Sequence, residues 1–196
     1  MVTDKKELRK ALIKQRNELS KDDCRKMSKS VCKKLVALEI YKEADTVFAY
    51  SSIRNEVSCE YIIEKAKADG KKVALPKVIS SDDDNEMQFF YVDDAAELES
   101  GYMGICEPDE DYSNIAIPSG KTLIILPGIA FDKNFSRIGY GKGFYDRYLD
   151  LYGENALSIA VCYDFQLFDE IPSDDNDMPA DIIITPTKLL IKGDAV

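Results

Sequence analysis

The segment that most constrains the fold is an apolar run that leads through a glycine-rich loop into a helix. Thr122 to Leu126 is typical of a buried strand, and Phe144 to Tyr152 is typical of a helix. Between them lie three glycines in five residues, at Gly139, Gly141 and Gly143. Glycine lets the backbone approach an anion closely, and a helix N-terminus adds N–H donors and a positive dipole end. The segment therefore predicts a phosphate-binding loop, with a plain tight turn as the alternative.

The spacing of this loop differs from both common phosphate-binding motifs. A Walker A loop needs Gly-Lys-Ser/Thr, whereas Lys142 is followed by Gly143 and Phe144. In the dinucleotide pattern G-x-G-x-x-G the third glycine comes one residue later than it does here. Asp164 nevertheless lies where a ribose-binding acid is expected in that pattern. The spacing excludes a Walker A loop and leaves a dinucleotide-dependent oxidoreductase open as an alternative.

Helical and apolar β patterns alternate along the chain. Helices are expected at residues 4–19, from Ser20 onward, at 59–69, at 144–152 and near 165–169, and strands at 45–50, 72–78, 87–92, 122–126, 158–162 and 181–185. This alternation predicts one α/β domain over residues 1–196, a three-layer α/β/α fold with a mostly parallel open sheet of about six strands and a helical N-terminus. Open sheets of this kind bind ligands beyond the carboxyl ends of their strands.

Composition excludes several function classes. The net charge of −10 argues against general nucleic-acid binding, which depends on a basic surface. The N-terminus has no continuous apolar region, and no run approaches the roughly 18 apolar residues of a membrane span, so we expect a cytoplasmic protein without membrane contact. The five cysteines are scattered and indicate neither a disulfide framework nor a zinc site.

An acidic protein needs a local basic site to bind an anion, and the N-terminal helix offers one. The apolar stripe of this helix is formed by Leu8, Leu12, Gln15 and Leu19. At 100° per residue, Lys5, Arg9 and Arg16 line one edge of that stripe. These cations predict a contact with an anionic ligand, and a solvated charged flank is the alternative.

Two acidic segments are the remaining polar features. Ser80 to Glu86 predicts a solvated hairpin loop, with a metal site as the alternative. Asp174 to Asp177 precedes the last predicted strand, and its residues alone favour a polar turn.

The glycine-rich block resembles the signature of the 5-formyltetrahydrofolate cyclo-ligases, also called methenyltetrahydrofolate synthetases. The matching positions are Pro127-Gly128, Ala130-Phe131-Asp132, Arg137, Gly139 to Gly143, and Tyr145-Asp146-Arg147. Weaker matches extend over nearly the whole chain, at Lys5, Arg9, Glu56, Leu75-Pro76-Lys77, Gly104-Ile105, Glu107-Pro108, Asn176-Asp177 and Asp181. Many members carry His-Asp in place of Asn176-Asp177, and this chain has no histidine, so a role of that imidazole cannot operate here.

The resemblance implies an enzyme that uses ATP and Mg²⁺ to close 5-formyltetrahydrofolate to 5,10-methenyltetrahydrofolate, with release of ADP and phosphate. It implies that the formyl oxygen is phosphorylated before the ring closes. The expected partner is the small-molecule folate, and a monomer is favoured. The alternatives are another ATP-dependent phosphotransferase or ATPase, and a non-catalytic protein that binds a nucleotide or a folate.

The resemblance also implies which residues form the site. Catalytic roles fall to Lys142 and Arg137. Nucleotide contacts fall to Lys5, Lys6, Arg9, Arg137, Ile138, Gly139, Tyr140, Gly141, Lys142, Gly143, Phe144 and Tyr145. Folate contacts fall to Ser51, Glu56, Tyr140, Gly141, Lys142, Gly143 and Phe144. Asp146 and Asp177 are expected to hold Mg²⁺, because two carboxylates with phosphate oxygens and water suit its octahedral shell.

Overall fold

The structure is a computed structural model, and it describes residues 4–79, 86–93 and 98–193. Its helices are α1 (Lys5–Asn17), α2 (Lys21–Ala37), α3 (Glu39–Glu43), α4 (Glu60–Ala68) and α5 (Phe144–Tyr152). Its strands are β1 (Thr46–Phe48), β2 (Lys72–Val78), β3 (Met87–Tyr91), β4 (Glu99–Ser100), β5 (Cys106–Glu107), β6 (Ile115–Ala116), β7 (Thr122–Leu126), β8 (Ala130–Asp132), β9 (Arg137–Ile138), β10 (Ala156–Val161), β11 (Leu167–Phe168), β12 (Ile182–Ile184) and β13 (Leu189–Ile191). The helix expected near 165–169 is a 3₁₀ turn at Asp164–Gln166 followed by β11.

The main sheet is mostly parallel, as predicted, but it has eight strands rather than about six. Their order is β13-β12-β10-β7-β1-β2-β3-β6. The central strands from β12 to β2 pair in parallel, whereas β13, β3 and β6 pair antiparallel at the two edges. The two additional strands are β6 and β13, which have only two and three residues. Such short segments carry no periodic pattern, so sequence analysis could not find them.

The alternation of side chains along β7 shows the three-layer arrangement. Leu123 and Ile125 belong to a buried cluster that includes residues of α2 and α4. Ile124 and Leu126 belong to a second cluster, on the opposite face, that includes residues of α5. Successive side chains of a strand point to opposite faces, so all of these positions are buried only when helices cover both faces.

Helix α1 packs on a small second sheet of β11, β8 and β9 rather than on the main sheet. Leu8 and Leu12 lie there in a cluster with residues of β8 and β9. Gln15, which the sequence placed in the apolar stripe, is exposed. Arg16 takes the third buried position of α1 instead, one further step of four residues from Leu12. The predicted stripe was therefore wrong at this last turn.

The order of strands creates a crevice at the carboxyl ends of β1 and β7. From β1 the chain moves outward to β2 on one side, and it later returns to add β7 on the other side. This is a topological switch point, where open α/β sheets bind ligands. The sequence suggested that the glycine-rich loop at residues 139–143, here called the glycine loop, follows β7 directly, but it does not. The chain first forms β8 and β9, so the strand that enters the loop is β9 of the small sheet.

Strands β2 and β3 pair antiparallel. At the end of this pair the Ile79 N–H donates to the Glu86 carbonyl at 3.0 Å. The predicted hairpin loop from Ser80 to Glu86, with a metal site as the alternative, lies outside the described residues except for Glu86. In the described part of the chain, no helix has the length and apolar character needed to cross a membrane.

Candidate functional site

A cavity of about 880 Å³ lies at the crevice between β1 and β7. The loop after β1 contributes Ser51 and Glu56, and Pro127 follows β7. Helix α1, the glycine loop, the first turn of α5 and the turn at residues 174–178 complete the wall. This volume is in the range of cavities that enclose small-molecule ligands and cofactors.

The cavity brings together most of the site residues inferred from the sequence. Those that line it are Lys5, Arg9, Ser51, Glu56, Arg137, Gly139, Tyr140, Gly141, Lys142, Gly143, Phe144, Tyr145, Asp146 and Asp177. Lys6 and Ile138 are outside this lining. Lys6 is exposed on another face of α1, and Ile138 is buried beside Leu8 and Leu12. The position of these two side chains therefore does not fit the nucleotide contacts inferred for them.

Three glycines of the loop have different structural surroundings. Gly141 and Gly143 have φ values of +98° and +71°, a left-handed conformation that other residues adopt at a cost. A Cβ at Gly139 would lie 3.0 Å from Nη1 of Arg137. The Arg9 Nε donates to the Gly139 carbonyl at 2.8 Å, so α1 holds the start of the loop. The loop thus leads into the N-terminus of α5 with its backbone at the cavity wall.

Two cationic side chains lie at the glycine loop, one exposed and one buried. Lys142 is exposed and lines the cavity. Arg137 is 4 % exposed, and its Nη2 donates to Oδ1 of Asp146 at 2.6 Å. The Met178 N–H donates to the same Asp146 oxygen at 3.2 Å. The Nε of Arg137 is buried and has no hydrogen-bond partner within the described part of the chain.

A second charged group, which we call the rim cluster, consists of Lys5, Asp174 and Asp177. The Lys5 Nζ donates to Asp174 Oδ2 at 2.6 Å and also to Asp177 Oδ2. The Asp174 N–H donates to Asp177 Oδ2 at 2.7 Å. Partial burial opposes the charged form of Lys5, but the hydrogen bonds to both carboxylates raise its pKa above the ordinary value. The polar turn thus reaches the cavity because it pairs with α1.

A third group, which we call the buried cluster, consists of the buried Arg16 and Glu56 and of Tyr140, which is 38 % exposed but whose hydroxyl joins the other two. Arg16 donates to the Tyr140 hydroxyl, which donates in turn to Glu56 Oε1 at 2.9 Å. The Ile53 N–H donates to Glu56 Oε2 at 2.9 Å. Burial raises the pKa of Glu56, although the charge of Arg16 acts in the opposite direction. Burial and the Glu56 charge raise the pKa of Tyr140 to about 12, so its hydroxyl remains protonated and able to donate at neutral pH.

Sequence reasoning misplaced one residue near the site and missed another. Arg16 was expected to contact an anionic ligand together with Lys5 and Arg9, but it is buried outside the cavity lining, where its spacing from Leu8 and Leu12 places it on the buried face of α1. Glu107 lines the cavity and is only 4 % exposed, and burial raises its pKa. Gly101 packs so closely that an added Cβ would lie 2.0 Å from Glu107 Oε2. The only sequence signal for Glu107 was its weak match to the cyclo-ligase pattern.

The position of Asp164 removes the support for a dinucleotide site. Its carboxylate accepts hydrogen bonds from the hydroxyls of Thr185 and Thr187, at 2.7 Å in the case of Thr187. It is not among the residues that line the cavity. A carboxylate engaged in this way serves the turn after β12 rather than a ribose.

The carboxylates of Asp146 and Asp177 form a donor set that fits Mg²⁺. Both line the same cavity, and 23 % of each side chain is exposed. Their hard oxygens match the ligands that Mg²⁺ prefers. Of the residues that the structure describes, no three or more Asp, Glu, Cys or His side chains form a metal-binding group. An ion held by these two carboxylates would complete its shell with phosphate oxygens and water.

Known proteins resemble this chain over nearly its whole length. The model of the 5-formyltetrahydrofolate cyclo-ligase family matches residues 1–186. A probable 5-formyltetrahydrofolate cyclo-ligase of Schizosaccharomyces pombe is 32 % identical, with 97 % of this chain and 98 % of the relative covered. The 5-formyltetrahydrofolate cyclo-ligase of Escherichia coli is 27 % identical over 91 % of this chain and 98 % of its own. The NMR structure of Aquifex aeolicus 5,10-methenyltetrahydrofolate synthetase has a TM-score of 0.84 at 33 % identity and covers 98 % of this chain and 94 % of its own.

Proposed function

The chain belongs to the 5-formyltetrahydrofolate cyclo-ligase family, and we propose that it closes 5-formyltetrahydrofolate to 5,10-methenyltetrahydrofolate at the expense of ATP, with Mg²⁺. The observation that carries this proposal is that one cavity of about 880 Å³ contains both the glycine loop and the buried carboxylate of Glu56. The loop suits a polyphosphate, and the carboxylate suits the donor-rich edge of a pterin. The same cavity therefore offers a suitable surface to each of the two substrates.

The reaction requires activation because the formyl oxygen is a poor leaving group. In the proposed mechanism this oxygen attacks the γ-phosphorus of ATP, a new O–P bond forms, and the bond to the ADP oxygen breaks. N10 of the folate then attacks the activated carbon, and its proton and inorganic phosphate depart. Phosphoryl transfer of this kind depends on alignment and charge neutralisation more than on a protein nucleophile. A chain without histidine can therefore carry it out.

Lys142 and Arg137 are proposed to stabilise the charge of the transferring phosphoryl group. Lys142 is exposed at the cavity, which leaves its ammonium group able to follow the phosphate. Arg137 lines the cavity and is held in place by Asp146, so its guanidinium group is a preorganised cation. The N–H groups at the start of α5 add positive potential at the same wall. Preorganised donors of this kind act on charge that develops in the transition state.

The nucleotide is proposed to lie between the glycine loop and α1, where Lys5 and Arg9 contact its phosphates. Asp146 and Asp177 would hold Mg²⁺, which neutralises polyphosphate charge when it is bound. In the structure Asp177 pairs with Lys5. A cation and a carboxylate that already face each other can separate slightly and accept an anionic phosphate and a metal ion, respectively.

The folate is proposed to lie against Glu56, Ser51 and the aromatic residues of the loop. Each carboxylate oxygen has two lone pairs, so Glu56 can accept from a pterin while it keeps its bonds to Tyr140 and the Ile53 N–H. Phe144 lines the cavity and offers an apolar surface to the ring.

The test of this function is to incubate the protein with ATP, Mg²⁺ and 5-formyltetrahydrofolate and to follow the absorbance of the methenyl product. In parallel, ADP release is measured with and without the folate. We expect ADP release to depend on the folate, because the formyl oxygen rather than water is the acceptor. Equal ADP release in both samples would identify an ATPase, and binding of either ligand without product would identify a non-catalytic binder.

A further inference from the structure

We propose that Arg16 is a positioning residue that holds Tyr140 and Glu56 in the geometry that contacts the folate. This inference rests on the proposed function. It assigns a role in folate recognition to a side chain that lies behind the cavity wall and outside its lining.

Arg16 is buried and its guanidinium group connects three separate parts of the chain. Its side chain is 1 % exposed. Nε donates to the Arg54 carbonyl at 2.8 Å, and Nη1 lies 3.4 Å from the Gly128 carbonyl. Nη2 donates to the Tyr140 hydroxyl. The loop after β1, the loop after β7 and the glycine loop therefore share one hydrogen-bond donor group.

The contacts of Arg16 reach Glu56 by two routes. The Tyr140 hydroxyl accepts from Arg16 and donates to Glu56 Oε1 at 2.9 Å, which makes a chain of two hydrogen bonds. Nη1 of Arg16 also lies 3.8 Å from the same carboxylate oxygen. The Ile53 N–H holds the other oxygen, so the orientation of the carboxylate is determined on both sides.

The turn that carries Glu56 is also attached to the end of α1. The Asn55 Nδ2 donates to the carbonyls of Arg16 and Leu19, at 3.2 and 3.3 Å. Arg54 and Asn55 have φ values of +47° and +56°, a left-handed conformation that Asn tolerates better than most residues. The main chain at Arg16 thus supports the same turn that its side chain contacts.

Stability alone does not account for a buried arginine at this position. A buried ion pair contributes little compared with an apolar side chain of similar volume, because both charges lose their water. What an arginine provides is a planar group with donors in several directions. Lysine has a compact ammonium group on a flexible stem and cannot reach three loops in one geometry.

The charge of Arg16 also determines the pH range in which Glu56 accepts hydrogen bonds. Burial raises the pKa of Glu56, and the positive charge of Arg16 limits that rise. The titratable or charged groups that face this carboxylate are Arg16, Arg54, Tyr140, Tyr50, Cys59 and Tyr145. Only the two arginines are positive at neutral pH, so loss of Arg16 should raise the pKa of Glu56 further and move the acid limb of folate binding to higher pH.

The experiment compares Arg16→Gln and Arg16→Lys with Lys14→Gln, which removes an exposed cation from the same turn of α1. For Arg16→Gln we expect the KM for 5-formyltetrahydrofolate to rise by about tenfold or more, as for loss of a charge-assisted buried hydrogen bond. The KM for ATP should change by less than about twofold, well under the tenfold that 1.4 kcal/mol represents. The acid limb of folate kcat/KM should move to higher pH in Arg16→Gln and remain in place in Arg16→Lys, which keeps the charge. Lys14→Gln should leave all three quantities unchanged.

A double-mutant cycle keeps the proposal testable if Arg16→Gln does not fold. Arg16→Lys and Tyr140→Phe are made singly and together, and the folate KM is measured for each. If Arg16 acts through Tyr140, the double variant should be no worse than the poorer single variant, because the two changes remove the same link. Additive effects, or equal changes in both KM values with an unmoved acid limb, would overturn the proposal. If the wild-type protein forms no methenyl product, the proposed function fails instead.

Discussion

The buried cluster and the rim cluster differ in the burial of their charged side chains, although both contribute residues to the wall of one cavity. In the buried cluster the side chains of Arg16 and Glu56 are 1 % and 4 % exposed. In the rim cluster the side chains of Lys5, Asp174 and Asp177 are 16 %, 74 % and 23 % exposed. A desolvated charge must keep its partners, whereas a charge at the surface can exchange a protein partner for water or a ligand at little cost. This difference suits the buried cluster to a permanent frame and the rim cluster to the ligand contacts that we propose for it.

The largest effect that separates the two clusters should be on stability. Arg16→Met leaves Glu56 buried without its cation and should lower the free energy of unfolding by about 3–5 kcal/mol. Lys5→Met removes the cation of the rim cluster and should cost less than about 1 kcal/mol, because water replaces it. Urea unfolding at pH 7.5 measures both. Similar losses in the two variants would mean that exposure does not distinguish the clusters.

The next effect concerns catalysis at the open end of the cavity. Lys142→Ala should lower kcat on the order of 10²–10³, the usual cost of one transition-state charge contact. Its stability should change by no more than about 0.5 kcal/mol, as for most exposed positions. Lys121→Ala is the matched control, because Lys121 is exposed and pairs with Asp45 at 3.8 Å, at the amino ends of the strands. Near-normal turnover of Lys142→Ala would remove this residue from the catalytic assignment.

The next prediction concerns the Mg²⁺ dependence of activity. It compares Asp177 of the rim cluster with Asp146, which pairs with the buried Arg137. Asp146→Asn should raise the Mg²⁺ concentration for half-maximal activity by about tenfold, equivalent to roughly 1.4 kcal/mol. We expect a smaller shift for Asp177→Asn, because Asp177 lies in a polar turn. Asp169→Asn, at an exposed carboxylate outside the cavity lining, is the control for a general loss of negative charge. If Asp146→Asn alone moves the titration, Asp177 is a turn residue, and if neither moves it, the metal assignment is wrong.

The smallest effect should be on apparent ATP affinity. Lys5→Ala and Arg9→Ala each remove one partly exposed phosphate contact and should weaken ATP binding by a few-fold, in line with roughly 1 kcal/mol for such charges. Lys10→Ala changes an exposed cation on another face of α1 and serves as the control. Titration with a non-hydrolysable ATP analogue measures the three variants. If all three variants bind ATP with equal affinity, this face of α1 is a solvated charged flank and does not contact phosphate.

The sequence by itself determined the features that depend on local pattern. The run Thr122 to Leu126 has to be buried on both sides, and the structure covers it with helices on both faces. The glycines at 139, 141 and 143 predict a loop of unusual backbone conformation, and a loop with left-handed Gly141 and Gly143 leads into α5. The family resemblance could be recognised from the sequence for the same reason, because the residues of the glycine-rich block lie close together in the chain.

Only the tertiary structure decided which charged residues are buried among protein partners and which lie at the rim of the cavity. Arg16 and Lys5 are cations on the same edge of one helix, yet α1 buries the first between three loops and leaves the second beside a polar turn. Ile138 adjoins the glycine loop but packs into the core, because β9 pairs with β8 and turns that side chain toward α1. The edge strands β6 and β13 exist because neighbouring strands are there to pair with. Burial and pairing of this kind arise from contacts between distant parts of the chain, and no local pattern encodes them.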